Sequence, residues 1–403
     1  MSILDEVSQI EDKLIQIRRQ VHQNPELGFQ ETETAALVKQ KLTELDIPFK
    51  SEIAKTGIVA VIEGKQPGKT LLLRADMDAL PLQEDVDVPF KSKNDGVMHA
   101  CGHDCHVACL LGAAEILVAK KNEFTGKILL VFQPAEESSG THLHNLAGGA
   151  APMIYEGGIG DPKNPEIDGA LALHVSSGSK VGTITAHPGP AMGSSDIINI
   201  DIIGKGGHGS APHQTIDPIF LAAQIYQAIQ GFVTRKIAPV EARVITIGKI
   251  IAGDRHNIIS STARMEGTMR TLNKEVQDYI HAELPKLVKG IAQAHGGDAN
   301  VEIIKGYPVG VNNVDMVEII KQATNEVLGP DAYSEGVPIL GAEDFYAFGF
   351  EGTVPAALFF LGGANPDKGI TAPNHSNLFN FDEDAIKLGT SVMVASALRF
   401  LSH

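Results

Sequence analysis

The alternation of apolar and polar positions along the chain predicts an α/β protein. Residues 32–45 place Ala35, Val38 and Leu42 on one face at helical spacing, and residues 4–22 have the same periodicity. Short apolar runs typical of buried strands follow, with one predicted helix among them: strands at 57–63, 70–74, 127–132 and 170–173, and the helix over about 104–121. This order predicts a wound, mixed sheet that is flanked by helices.

The pattern changes near Pro188, Gly189 and Pro190, and the following region reads as a separate module. Its elements are predicted in the order strand, helix, strand, strand, helix, strand, at 197–203, 216–233, 243–250, 263–269, 274–295 and 300–305. That order is a complete ferredoxin-like α+β unit. We therefore expect an inserted domain at 190–303 and a discontinuous first domain made of residues 1–189 and 304–403. A helix at 315–327, an apolar run at 356–361 and a helix at 382–401 complete the first domain.

Length, charge and cysteine content narrow the class of protein. A chain of 403 residues exceeds one ordinary hydrophobic core, which supports two domains. The net charge of −16, without a cluster of Lys and Arg, argues against nucleic acid and membrane surfaces as partners and favours small molecules. No leader-like segment and no uninterrupted apolar run long enough to span a bilayer is evident. With only three closely spaced cysteines, we expect a cytoplasmic protein.

Candidate metal ligands are concentrated at residues 99–106, which contain three histidines, two cysteines and an aspartate. Similar side chains recur at Glu136, Glu137, His174 and His375. Most of them follow a predicted strand, and strand ends in an open sheet meet at one edge, so we expect a single site. Imidazole, sulfur and carboxylate donors suit zinc, manganese or another first-row ion. Five good donors exceed one tetrahedral site and indicate two ions.

The ligand types also suggest a division of roles. One carboxylate of the Glu136 and Glu137 pair can bind metal, while the other takes a proton from water whose pKa the cation lowers. Cys101 precedes a predicted helix, and we expect the helix dipole and a cation to lower the pKa of its thiol. We interpret Cys105 and Cys109, one helical turn apart, as packing residues. His106 is left open between packing and support of the ligands.

Residues 204–209 match the dinucleotide fingerprint G-x-G-x-x-G. Pro212 falls where the phosphate-binding helix should run, and the predicted topology is ferredoxin-like, so we interpret the match as accidental. A nicotinamide-dependent oxidoreductase is a distant alternative that depends on these glycines alone. A histidine between glycines, His208, can instead approach a ligand closely.

Four motifs together resemble one enzyme family: Arg74 to Pro81, His99 to Asp104, Gln133 to Glu137, and Asn374 to Ser376. They are similar to the amidohydrolase branch (subfamily D of family M20) of the aminoacylase and carboxypeptidase metallopeptidases. Hippurate hydrolases, indole-acetyl-amino-acid (IAA-amino acid) hydrolases and N-acetyl-diaminopimelate deacetylases belong to this branch. The resemblance implies a di-metal exopeptidase-like α/β domain with an inserted lid or dimerisation domain, and a metal-dependent amidohydrolase that cleaves N-acetyl, N-benzoyl or related N-acyl amino acids. A metallo-aminopeptidase or dipeptidase of the same fold is the alternative.

The resemblance also implies roles for individual residues. The metal-ligand positions are Cys101, His103, Glu137, His174 and His375. Glu136 falls on the general base, Asp78 on a supporting aspartate, and Asp76 on a position where the wider family has a histidine ligand. His208 matches a histidine that reaches the neighbouring subunit's site and stabilises the oxyanion, and Asn257 and Arg270 resemble groups that hold the substrate carboxylate.

The cofactor and assembly expectations follow from the same resemblance. It implies two divalent ions per subunit, zinc or manganese, with nickel or cobalt as further options. It also implies a homodimer through residues 190–303, or a larger assembly such as a tetramer. Segment 138–168 departs from the short glycine-rich loop of the family, and we expect it to influence acyl-group selectivity.

Overall fold

The computed structural model describes residues 1–138, 142–143, 146–157, 159–161 and 164–402, so the segment 138–168 is described only in part. The chain forms two compact units. The first comprises Met1–Ala191, Val311–Val337 and Asp344–His403, and the second comprises Met192–Gly310 and Pro338–Glu343. The second unit extends beyond the predicted residue 303 because its last strand continues to Lys305. Nothing in the sequence pattern indicates that Pro338–Glu343 belongs to it.

An eight-stranded mixed sheet forms the centre of the first unit, in agreement with the predicted fold class. In spatial order its strands are Phe49–Ile53, Gly57–Glu63, Lys127–Gln133, Thr70–Asp76, Gly169–Lys180, Ala356–Ala364, Ile184–Ala186 and Tyr333–Glu335. The central four, from Lys127–Gln133 to Ala356–Ala364, are parallel to one another. The strands that the sequence pattern missed, at 49–53, 184–186 and 333–335, are short and lie at or next to the sheet edges.

Helices cover this sheet. They are Ile3–Ser8, Glu11–Gln23, Thr32–Glu44, His103–Ala119, Ala150–Gly157, Val314–Leu328 and Asp384–Ser402, with 3₁₀ turns at Asp344–Gly352 and Pro366–Lys368. The single helix predicted over 4–22 is two helices, because the first ends with a cap at Gln9. Short strands lie at His142–Leu143, Leu146–Ala147, Gly160–Asp161, Asn164–Pro165, Gly189–Met192 and Gly310–Asn312.

The last helix bears on the expectation about membrane-spanning segments. Asp384–Ser402 is long and apolar enough to cross a membrane by length and composition, although Lys387 and Arg399 interrupt its apolar run. Most of this helix is buried within the first unit, where it packs on His103–Ala119 and Val314–Leu328. Its apolar character is therefore explained by the hydrophobic core.

The second unit has the predicted ferredoxin-like topology. Its sheet is antiparallel, with the strands Arg243–Ala252, Thr262–Thr271, Asp196–Ile203 and Asp298–Lys305 in that spatial order. Helices Pro218–Arg235 and Lys274–Ala294 pack on this sheet. Buried apolar side chains between them form a separate hydrophobic core, chiefly Ile198, Ile200, Ile225, Ile229, Ile280 and Leu284. Gly207–His208 pairs with Ile258–Ile259, and Pro212–Gln214 is a 3₁₀ turn.

Candidate metal centre

Three adjacent parallel strands place their carboxyl ends side by side in the first unit. Asp76 lies opposite Gln133 in the register of two of them, and Arg74 lies opposite Ala172 in the third. The residues just beyond these positions are Asp78, Glu136, Glu137 and His174. The strand order therefore explains why side chains so distant in sequence meet at one edge of the sheet.

Two of the segments that carry candidate site residues turn through a residue in the left-handed backbone conformation. Ala135 has φ of 56° and immediately precedes Glu136, while His375 itself has φ of 67°. Such conformations cost about 1–3 kcal/mol in residues with a Cβ atom and persist only where the surroundings hold them. The amide of His375 donates to the Ala100 carbonyl at 2.8 Å. The side chain of Asn374 donates to the carbonyls of Cys101 and Val175, so one amide group joins three ligand segments.

All five predicted metal ligands lie together. The Sγ atom of Cys101 is 3.3 Å from the Nε2 atoms of both His174 and His375. The Oε1 atom of Glu137 is 3.1 Å from His375 Nε2 and 4.0 Å from His103 Nε2. Two groups of donors, each with its atoms within 4.8 Å of one another, share the cysteine: Cys101, His103 and His174, and Cys101, Glu137 and His375. These five side chains would hold two divalent ions, with Cys101 contributing to both donor groups.

The buried polar atoms of the centre fit a cation. His103 is fully buried and donates from Nδ1 to the Asp78 carbonyl at 2.8 Å, which turns Nε2 into the donor cluster. Within the described part of the chain, that Nε2 atom makes no hydrogen bond. His174 likewise donates from Nδ1 to the Val175 carbonyl at 2.8 Å and directs Nε2 at Cys101. Such second partners fix the imidazole tautomer and ring direction that metal ligation requires.

The electrostatics of the imidazoles support the same interpretation. Burial disfavours the imidazolium of His103, but Asp76, Asp78 and Glu137 outweigh burial and raise its pKa to about 10. Carboxylates that hold a proton this firmly would attract a divalent cation still more strongly. Burial, followed by the charge of His106, lowers the pKa of His174 to about 3, so its ring is neutral and able to coordinate.

The protein groups around the Cys101 thiol act against the predicted lowering of its pKa. Burial and the charges of Glu137, Glu136 and Asp76 raise the pKa of Cys101 well above its ordinary value. The helix begins only at His103, two residues after the thiol. The expected thiolate therefore requires a bound cation.

Carboxylates and an imidazole around the donors fix their positions. Asp78 is buried and accepts the backbone amides of Glu136 at 3.0 Å and Glu137 at 2.9 Å. The ring of His106 lies 2.5 Å from Asp76 through Nδ1 and accepts the Val175 amide at Nε2, so both of its nitrogens are occupied. These polar contacts, next to His174 in the sequence, favour a supporting role for His106 over packing alone. Cys105 and Cys109 are buried 4.0 Å apart on the helix, as expected for packing residues.

An arginine that was not predicted from the sequence neutralises part of this charge. Arg74 is fully buried, donates to Asp76 at 2.8 Å and to Asp344 at 3.0 Å, and also donates to Gln133. Asp344 is 270 positions away along the chain, and no local pattern marks it as a partner. Glu31, buried beside the loop of Ala135, was missed for the same reason.

The remaining predicted residues, His208, Asn257 and Arg270, belong to the second unit. His208 is exposed, and its Nδ1 accepts a hydrogen bond from the Ser210 amide. The Asn257 carbonyl accepts the Gly209 amide, which keeps these two segments adjacent. Arg270 lies half-buried on the strand Thr262–Thr271, where burial lowers its pKa.

The glycine-rich segment does not form a dinucleotide loop. A Rossmann fingerprint opens directly into a helix, whereas here the segment continues into the short strand Gly207–His208 and the 3₁₀ turn Pro212–Gln214. The interpretation of the match as accidental agrees with this geometry.

Comparison with known proteins gives a consistent identification. Residues 72–399 match the model of peptidase family M20/M25/M40. The chain is 43% identical over 398 residues to thermostable carboxypeptidase 2 of Saccharolobus solfataricus, covering 98% of this chain and 97% of that protein. It is 36% identical to the N-acetyl-L-cysteine deacetylase of Bacillus subtilis, covering 98% and 90%.

A solved structure agrees with these relatives. The crystal structure of the YxeP protein of Bacillus subtilis, a dinuclear metal binding peptidase from the M20 family, superposes with a TM-score of 0.84 at 31% identity, covering 98% of this chain and 99% of that one. The chain belongs to peptidase family M20/M25/M40 and is a metal-dependent hydrolase of amide bonds, with a site suited to two divalent ions.

Proposed function

We propose that the substrate is an N-acyl amino acid, from which the enzyme removes the acyl group by hydrolysis of the amide bond. The observation that carries the proposal is the convergence of Cys101, His103, Glu137, His174 and His375 beside Glu136. The similarity to a deacetylase of an N-acetyl amino acid supports the substrate class. The amino-acid carboxylate would be held by Asn257 and Arg270.

Each residue has a role that its environment allows. When bound, divalent ions polarise the substrate carbonyl and lower the pKa of a water molecule. Glu136 takes the proton of the attacking water and returns it to the departing amine. His208 donates a hydrogen bond to the oxyanion that forms as the carbonyl is attacked. Asp78 acts through the backbone, because it holds the amides of Glu136 and Glu137.

The donor set favours zinc or manganese over calcium or magnesium, because it combines a thiol and three imidazoles with a single carboxylate. Nickel or cobalt would also accept these ligands. Metal analysis of the purified protein identifies the native ion.

Replacement of Glu136 tests the assignment of the base. Glu136→Gln keeps the size of the side chain but cannot accept a proton, so we expect kcat to fall by about 100- to 10,000-fold. The metal content should stay at that of the wild type, since Glu137 is unchanged. Glu115→Gln, at a partly exposed position of the helix His103–Ala119, is the matched control and should retain activity. Wild-type turnover by Glu136→Gln would refute the assignment.

Peptide hydrolysis is the second candidate, because a relative with 43% identity is named a carboxypeptidase. The two activities cleave the same kind of bond when the amine side is an amino acid with a free carboxylate. A panel of N-acetyl, N-benzoyl and N-succinyl amino acids, compared with free dipeptides and with N-blocked peptides, separates them. A preference for free dipeptides would favour the aminopeptidase or dipeptidase alternative.

We also propose that the enzyme is a cytoplasmic homodimer that pairs through the second unit. In support, the strand Arg243–Ala252 lies at the edge of its sheet and exposes the apolar side chains of Val244, Ile250 and Ile251. Such an unpaired apolar edge favours association. If His208 serves the partner's site, mixing His208→Ala with Glu136→Gln subunits should restore part of the activity. Failure to recover activity after verified subunit exchange would refute the shared site.

A further inference from the structure

One fully buried carboxylate, that of Glu31, connects three loops of the first unit. Its Oε1 atom accepts the backbone amides of Phe29 at 3.0 Å and Ala135 at 2.8 Å. Its Oε2 atom accepts the hydroxyl of Thr56 at 2.5 Å. Glu31 itself has no exposed surface. The three donors come from segments that are far apart in the sequence, so the carboxylate acts as a common anchor.

Each of the three loops contains a non-glycine residue in the left-handed region. Phe29 has φ of 63°, Lys55 of 77° and Ala135 of 56°. A Cβ atom makes this conformation unfavourable, and it persists where surrounding contacts determine it. The loops also pack closely: a Cβ atom at Gly28 would lie 2.4 Å from Ser138 Oγ and 3.0 Å from the Cα atom of Ala135. The anchor is therefore located where the backbone needs support.

The loop that carries the acidic pair is held by two carboxylates in succession. Ala135 donates its amide to Glu31, and the next two amides, of Glu136 and Glu137, go to Asp78. Three consecutive N–H groups are thus fixed by buried acceptors. Burial, together with the nearby charge of Asp78, raises the pKa of Glu31 to about 7. Maintaining two carboxylates this close is unfavourable in itself, which suggests that the loop requires both.

We propose that Glu31 is a positioning residue that fixes the direction in which Glu136 and Glu137 leave the strand Lys127–Gln133. It acts through the amide of Ala135, which lies 104 positions further along the chain. The inference rests on the proposed function, in which Glu136 is the base and Glu137 a ligand. It extends that function to a residue outside the five ligands and the base.

Two variants of Glu31 separate a missing acceptor from a missing charge. Glu31→Gln keeps an oxygen for the amides of Phe29 and Ala135, and its amide group can face the Thr56 hydroxyl, which can accept. Glu31→Ala removes every acceptor. Glu26→Ala is the matched control, since the Glu26 carboxylate also accepts two backbone amides and a threonine hydroxyl, those of Glu33, Thr34 and Thr32. These contacts lie at the start of the helix Thr32–Glu44.

The kinetic test uses the full chain, loaded with its native metal, and the N-acyl amino acid that the wild type hydrolyses fastest. We expect Glu31→Ala to lower kcat by about 100-fold, as a displacement of about 1 Å would, with little change in KM. Glu31→Gln should stay within about tenfold of the wild type. Glu26→Ala should lower the melting temperature without lowering kcat. Equal kcat values for Glu31→Ala and the wild type would overturn the proposal, as would equal losses in the Glu31→Ala and Glu26→Ala variants.

A second measurement does not depend on turnover. Amide hydrogen exchange of a peptide covering residues 132–138, with zinc added, should be faster in Glu31→Ala than in the wild type, while Glu31→Gln stays close to the wild type. If Glu31→Ala does not fold, Thr56→Val removes one contact of the anchor and should give a smaller change of the same kind. Unchanged exchange in these variants would overturn the proposal. An inactive wild type with the expected exchange pattern would refute the proposed function and leave the positioning role supported.

Discussion

The Asp78→Asn variant should show how far activity depends on the orientation of Glu136 and Glu137, because both of these side chains remain present. The carboxylate of Asp78 accepts the amides of both Glu136 and Glu137. An asparagine keeps one acceptor oxygen, and its amide group then faces a backbone N–H that it cannot pair with. A hydrogen bond to a charged group is worth about 1.5–3 kcal/mol, so we expect a stability loss of about 2–3 kcal/mol. For a chain of 403 residues, the corresponding decrease in melting temperature is about 2–4 °C.

The effect on activity should exceed the effect on folding. If one of the two amides is released, Glu136 or Glu137 can move by about 1 Å, which is enough to lower kcat about 100-fold. Thermal unfolding, steady-state kinetics and metal analysis of the same preparation check the three consequences. Asp168→Asn is the control, because the Asp168 carboxylate accepts the Thr70 amide at 2.7 Å at the opposite end of the strand Thr70–Asp76. An Asp78→Asn enzyme with wild-type kcat would refute the reasoning.

Two further predictions concern buried charges. Arg74→Met leaves the carboxylates of Asp76 and Asp344 without their guanidinium, and should reduce the free energy of unfolding by about 3–5 kcal/mol in urea titrations. The control Lys13→Met breaks a partly exposed pair with Glu115 and should reduce it by less than about 1 kcal/mol. Similar losses in the two variants would contradict the argument. Burial works against the ionised form of Asp104, but Arg18 and His22 outweigh it and lower its pKa well below the usual 3.8. The stability that Asp104 contributes is therefore complete above about pH 4 and is lost as the pH falls towards the folded-state pKa. The difference in unfolding free energy between the wild type and Asp104→Asn should shrink below about pH 4, and a difference independent of pH between about 7 and 3 would contradict this.

The sequence was sufficient for the parts of the fold that depend on local periodicity. The long central strands are continuous apolar runs, and the ferredoxin-like unit follows a regular order of elements, so both could be predicted. The strand Tyr333–Glu335 has only three residues, two of them exposed, and such a strand exists because a neighbour pairs with it. The break between Ile3–Ser8 and Glu11–Gln23 was missed because the apolar spacing continues across it.

In the candidate site, too, some residues are evident from the local sequence and others depend on partners that are distant in the chain. Cys101, His103, Glu137, His174 and His375 are recognisable because their chemistry is unusual and most of them follow strands or precede a helix. Their supports are ordinary residues whose partners are distant in sequence, such as Arg74 with Asp344. The pKa of the Cys101 thiol could not be derived from its position before a helix, because burial and three carboxylates, which only the folded chain brings together, act in the opposite direction.

The distribution of charge explains why these supports take the form they do. Buried carboxylates of Glu31, Asp76, Asp78 and Glu136 lie around the centre, together with the partly buried Glu137. Backbone amides satisfy Glu31 and Asp78, and Arg74 pairs with Asp76, so these groups are compensated within the protein. Glu137, by contrast, faces the imidazoles of His103 and His375 and the Cys101 thiol. Burial works against its ionised form, but His375 and His103 outweigh burial and lower the pKa of Glu137. Arg74 and backbone amides thus compensate Asp76 and Asp78, whereas Glu137 belongs to the donor groups of the candidate centre. Under the proposed function, Glu137 is therefore the carboxylate that would hold metal, and Glu136 the one that would act as the base.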